Sequence, residues 1–203
     1  RHAVAPFGGR EARLGTNAIA WAAPTTGRPI VFDASTAMIS EGRLRLHAQT
    51  GEPVPAGRIL DAEGNPTTDA GAFYGPPRGA ILPFGMPLGH KGYGLAVMVD
   101  ILCAVLCGAP FGRDVADTGT SSARVSHFFG AVRIDRFRDP LGFRRDLDRL
   151  LYALRTAPVA EGAERIYFAG LKEFEKEAEC ERLGVPLLEQ TYAALGRAAE
   201  EFG

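Results

Sequence analysis

Lys91 stands in the run Gly89-His90-Lys91-Gly92-Tyr93-Gly94-Leu95. The only other lysines among 23 basic residues are Lys172 and Lys176. Everywhere else the chain uses arginine. Lysine offers a compact ammonium with movable donors on a stem that tolerates close approach. The run lies between small residues at the head of a long apolar stretch, where a helix start is predicted. A helix start contributes unpaired N–H groups and the positive end of a dipole. Joined to the ammonium, these make a site for a phosphate or a carboxylate. The alternative is an ordinary surface lysine beside a helix cap. His90 either faces the same ligand or is a structural histidine. A second such place lies upstream. Ile30-Val31-Phe32 reads as a short buried strand ending at Asp33. Ala34 to Ile39 then reads as a helix beginning, capped by Asp33 or Ser35. A strand running into a capped helix start is another setting for ligand phosphates.

Other elements must hold these residues. Ala18 to Ala23 is a plausible buried strand, and Pro24 to Pro29 a turn-rich break. Gly51 to Asp69 and Gly75 to Gly89 are dense in turn residues and read as loops. The helix from about Lys91 to Cys107 is apolar on nearly all sides, so we expect it to be enclosed. Gly108 and Pro110 end it. Cys103 and Cys107, four apart on that helix, read as core packing. His127 to Ile134 is a β-like run. Arg144 to Arg155 reads as an amphipathic helix with Leu147, Leu150, Leu151 and Leu154 on one face. Ile166 to Phe168 reads as a strand, with helices over Lys172 to Leu183 and Gln190 to Phe202. The mixture predicts an α/β fold without repeats or an internal domain boundary.

Composition narrows the function. The 203 residues suffice for one domain with a substantial core. A formal net charge of −1 gives no support to a nucleic-acid or membrane-surface role. The most apolar segment, Leu95 to Cys107, is too short to span a bilayer and carries Asp100. Three cysteines form neither a disulfide framework nor a Cys-x-x-Cys site, which fits a reducing cytoplasm. The four histidines (His2, His47, His90, His127) are scattered, so no metal signature is present. Gly-x-Gly-x-x-Gly after a strand, a phosphate-binding P-loop and Gly-x-Ser-x-Gly are all absent.

Five runs in order carry a resemblance: Val4-Ala5-Pro6-Phe7-Gly8-Gly9, Leu14-Gly15-Thr16-Asn17, Phe32-Asp33-Ala34-Ser35-Thr36, Asp61 to Asp69, and Gly89 to Leu95. Together they resemble the malate/L-lactate dehydrogenase family, across essentially the whole chain. The resemblance implies a three-layer α/β/α fold with a mixed sheet, a non-Rossmann dinucleotide-binding fold. It implies hydride transfer between NAD or NADP and a small 2-hydroxy or 2-oxo acid such as malate, lactate or ureidoglycolate. It also implies a homodimer. Carried over by position, Asp33, Ala34, Ser35 and Thr36 contact the dinucleotide, with Ser35 at the usual alanine. The family's lysine of the Lys-Gly-Tyr-Gly motif, here Lys91, contacts the cofactor too, and His90 is a candidate for the same site only by its place beside Lys91. Gly170, Leu171 and Lys172 stand at a C-terminal turn that completes it in the family, without its usual proline and acid. Thr16 and Asn17 are substrate-side candidates, their other role being to satisfy backbone groups in a turn.

The resemblance places the family's catalytic histidine and its carboxylate-clamping arginine upstream of Arg1. We therefore assign no catalytic residue and no metal ligand within this chain. We expect the polypeptide to continue upstream, and residues 1–203 to form a single NAD(P)-binding domain with C-terminal helices. The rival expectation is a catalytically inactive relative that serves as a binding or dimerisation module.

Overall fold

The computed structural model describes residues 2–115 and 124–202. The chain divides into two compact units. The first comprises Arg1–Trp21 and Phe32–Arg133, the second Ala22–Val31 and Ile134–Gly203.

The first unit is organised around Val4. This residue bridges Leu14 in antiparallel fashion and Ile81 in parallel fashion. Ile81 lies in β5 (Ala80–Ile81), which pairs antiparallel with β3 (Ile59–Leu60). β3 in turn pairs antiparallel with β4 (Pro66–Thr67). Val4, Ile59 and Ile81 are fully buried, and the cluster they join includes Leu44, Val54 and Phe73. Two short helices flank it. α1 (Glu41–Thr50) is capped by the Ser40 hydroxyl, and α2 (Ala70–Tyr74) by the Asp69 carboxylate. The Gly51 to Asp69 stretch, expected as loop alone, thus contributes β3 and β4. Each is two residues long, too short to leave an alternating pattern in sequence.

β1 (Ile19–Ala23) pairs with β2 (Ile30–Ala34) as a two-stranded sheet. The helix expected from Ala34 does not form; helix begins only at Glu41. Lateral pairing explains why. The Thr36 amide donates to Thr16 O (2.9 Å), the Met38 amide to Leu82 O (2.9 Å), and the Phe84 amide to Thr36 O (2.9 Å). Groups used this way cannot also make bonds along a helix.

α3 (His90–Asp100) continues into a π-helical turn, Ile101–Val105, where the Leu106 amide reaches Ile101 O. The expectation that this helix is enclosed is overturned in this chain. Ala96 and Ala104 are buried, whereas Leu95, Met98, Ile101, Val105 and Leu106 are exposed. Cys107 is exposed as well, so its reading as core packing fails; Cys103 is half-buried. Among the described residues His127–Ile134 forms no strand, since no neighbouring strand pairs with it.

The second unit holds α4 (Pro140–Arg155), α5 (Leu171–Leu183) and α6 (Glu189–Phe202). Asp139 caps α4 through the Gly142 amide, and Pro140 takes the first-turn position it favours. Leu151 is buried, while Leu150 and Leu154 of the expected apolar face are about half exposed. Thr26 bonds Asp148, and the Arg28 guanidinium lies 4.8 Å from the Phe174 ring centroid. Ile166–Phe168 is irregular rather than a strand. No helix among the described residues is long and apolar enough to cross a membrane.

Candidate functional site

Thr36 ties the candidate runs of the first unit together. It is 4% exposed. Its hydroxyl donates towards Thr16 O (3.2 Å) and Asn17 O (3.1 Å), doubling the grip of its amide on Thr16. Its carbonyl accepts from Phe84, and Phe84 lies directly under α3. A Cβ on Gly92 would sit 2.1 Å from Phe84 O, so only glycine permits this approach. The glycine after Lys91 is therefore a packing requirement. The Asp33–Thr36 run and the Lys91 helix meet on one side through Phe84.

Asn17 secures the other side. It adopts a left-handed backbone, φ 42°, which asparagine tolerates better than most residues. Both hydrogens of its side-chain amide are used on α3, one on Ala96 O and one on Asp100 Oδ1, each at 2.8 Å. Only its Oδ1 is left to face a ligand. Burial pushes the Asp100 carboxyl above the ordinary carboxylate value, and the Asn17 hydrogen bond partly opposes that.

Lys91 is exposed and makes no ion pair or side-chain hydrogen bond among the described residues. Its own amide is bonded to Leu88 O (3.1 Å), so the helix start offers fewer unpaired N–H groups than the sequence suggests. The ammonium is the main source of positive charge there. His90 is exposed and packs edge-on against Phe7, ring centroids 5.7 Å apart.

Two clefts open beside this knot. One, of about 400 Å3, is walled by Phe32, Ala34, Ser35, Thr36, Phe84 and Leu95 and is largely apolar. The other, of about 360 Å3, is lined by Thr16, Asn17, Asp100, Cys103, Ser126 and His127. In the sequence Asp100 stands out only as a charge interrupting an apolar segment, and His127 only as one of four scattered histidines. A lone acid in an apolar helix was the available signal for Asp100. No local signal marked His127.

Gly170, Leu171 and Lys172 belong to the second unit. Gly170 caps α5 with φ 90°, and its Cβ position lies 3.0 Å from Val31 O, so glycine is required. The Lys172 ammonium sits 4.2 Å from the Tyr167 ring centroid. Among the described residues no cluster of three or more metal-ligating side chains occurs.

The family model for malate/L-lactate dehydrogenase matches residues 1–196. The chain belongs to the malate/L-lactate dehydrogenase family. The malate dehydrogenase of Pyrococcus horikoshii is 34% identical over 207 residues, a match covering 100% of this chain and 57% of that protein. The L-lactate dehydrogenase of Cupriavidus necator is 39% identical over 181 residues, covering 87% of this chain and 50% of that protein. Among solved structures, malate dehydrogenase from Entamoeba histolytica superposes with a TM-score of 0.92 at 28% identity, over 98% of this chain and 58% of that one. The chain thus spans about half the length of the relatives it matches. In this member of the malate/L-lactate dehydrogenase family, Thr16, Asn17, Thr36, Gly92 and Asp100 form one bonded and packed framework within a single unit. The α/β class is as expected.

Proposed function

We propose that this chain carries the NAD(P)-binding part of a dehydrogenase acting on a small 2-hydroxy or 2-oxo acid. The observation that carries the reading is the Thr36 knot, which joins the Asp33–Thr36 run to the Lys91 helix. The residues beside it suit a dinucleotide. The apolar cleft of Phe32, Ala34, Phe84 and Leu95 suits a flat ring. The unpaired Lys91 ammonium suits phosphate. The exposed Asp33 carboxylate suits ribose hydroxyls. A bound nicotinamide supplies the hydride acceptor or donor. The chain's own residues bind and orient. Lys91 neutralises phosphate charge, Thr36 fixes the strand that carries Asp33, and Asn17 holds the Thr16 loop against α3 so that Thr16 lines the polar cleft. Gly170, Leu171 and Lys172 carry no part of this reading.

The complete protein on this reading is a homodimeric cytoplasmic oxidoreductase with a three-layer α/β/α, non-Rossmann fold. Likeness to proteins named malate, L-lactate and L-sulfolactate dehydrogenase supports the substrate class. Calorimetric titration of this chain with NADH and then NADPH tests the reading and identifies the preferred dinucleotide. Lys91→Ala is expected to weaken binding about tenfold, the loss of one charge-assisted contact. A folded parent that binds neither dinucleotide, or a Lys91→Ala variant that binds as the parent does, refutes it.

A further inference from the structure

A second cavity, of about 710 Å3, lies in the first unit; it shares His2 with the polar cleft beside Thr16 and Asn17, and neither Lys91 nor the Asp33–Thr36 run lines it. Its volume is within the usual range of roughly 300–1,000 Å3 for small-molecule sites. Arg10, Arg13, Arg78 and Arg113 line it, against the acids Glu11 and Glu63. Four guanidiniums against two carboxylates leave a formal surplus of two positive charges. The acids are not spread evenly. Glu11 accepts from both Arg13 and Arg113, the latter at 2.7 Å, so one carboxylate is divided between two forks. Arg78 is held over the Phe73 ring at 4.9 Å, and Phe73 is buried, which fixes one guanidinium in the wall.

His2 reports the field inside. Burial first, then the positive charge at the start of the chain, and after it the charges of Arg13, Arg78 and Arg113 push its pKa below the ordinary histidine value. Three positive groups from separate chain segments therefore act on one point. His2 Nδ1 is buried without a hydrogen-bond partner among the described residues. A buried polar atom in that condition is costly unless a ligand or water satisfies it. Arginine forks match planar oxyanions in pairs of parallel hydrogen bonds.

We propose that this cavity binds a small multivalent oxyanion, a phosphate or a di- or tricarboxylate, between Arg13 and Arg113 with His2 at its base. The incoming anion competes with Glu11 for the two guanidiniums. Binding weakens with added salt, because the site is partly exposed.

The test is calorimetric titration of this chain with citrate and with inorganic phosphate at low ionic strength. Parent, Arg113→Gln, Glu11→Gln and Lys91→Ala proteins are compared, each first checked for folding by circular dichroism. The parent is expected to bind citrate. Arg113→Gln should weaken it about tenfold. Glu11→Gln should tighten it, an outcome that unfolding cannot produce. Lys91→Ala should leave it unchanged, which separates this cavity from the dinucleotide site. A folded parent that binds neither anion overturns the proposal. So does citrate binding that is indifferent to both Arg113→Gln and Glu11→Gln, or that is lost only in Lys91→Ala.

Discussion

Replacing Gly92 with alanine should destabilise the first unit, although alanine is the better helix former. The intrinsic preference favours alanine by about 0.8–1.0 kcal/mol within a helix. Against it, the new Cβ would lie 2.1 Å from Phe84 O and 2.8 Å from Phe84 C and N. These are backbone atoms and cannot swing aside. Overpacking of this kind costs about 1–3 kcal/mol. Displacing Phe84 also strains its bond to Thr36 O, worth roughly 0.5–1.5 kcal/mol. The net expectation is a loss of about 1–3 kcal/mol, or several degrees in Tm at roughly 2–4 °C per kcal/mol. Gly94, two residues on, is the internal control. A Cβ there meets nothing within 4 Å, so Gly94→Ala should stabilise by up to ~1 kcal/mol. Urea unfolding followed by tryptophan fluorescence reads both variants. The single tryptophan, Trp21, belongs to the first unit and stacks on Phe32. A Gly92→Ala protein as stable as the parent would refute the packing argument. So would equal shifts in the two variants.

Asn17→Ala should cost about 2–4 kcal/mol in the same assay, through two lost hydrogen bonds, one of them to a carboxylate. Asn17→Gly should recover about 1 kcal/mol of that, because glycine relieves the left-handed backbone. Asp100 has a folded pKa raised above 3.8 by burial. Its contribution to stability is therefore complete below the ordinary carboxylate value and is lost as pH rises through the raised one. An NMR titration of its carboxyl should show a midpoint above 3.8, and a midpoint below it would contradict the burial argument. In the second unit, Leu151→Ala should cost about 2–5 kcal/mol and its neighbour Leu150→Ala less than about 0.5 kcal/mol, because Leu151 is 8% exposed and Leu150 54%. Equal losses by circular dichroism in urea would show that α4 packs through a different face.

Local signals in the sequence determined the helices of the second unit. The apolar spacing over Arg144 to Arg155 marks α4, which starts four residues earlier, at Pro140, and the helices expected from Lys172 and Gln190 match α5 and α6 to within a residue at their starts. β1 and β2 follow from apolar runs set between turns, although the burial expected of them fails at Ala20, Trp21, Ala22 and Val31, which are exposed, and the ordered motif runs determined the family. In each case the deciding interactions lie within a few residues of chain. Tertiary structure decided the rest. Ala34 to Ile39 carries helix-start signals, yet its backbone is taken up by Thr16, Leu82 and Phe84. His127–Ile134 and Ile166–Phe168 have strand composition, but among the described residues they have no paired strand beside them. The site depends on distance in sequence. Asn17 and Asp100 are 83 residues apart and share a hydrogen bond of 2.8 Å. Gly92 is required by Phe84 rather than by its own helix. Hydrogen bonds and close approaches between distant segments leave no periodicity in sequence, because each depends on where the rest of the chain has already packed.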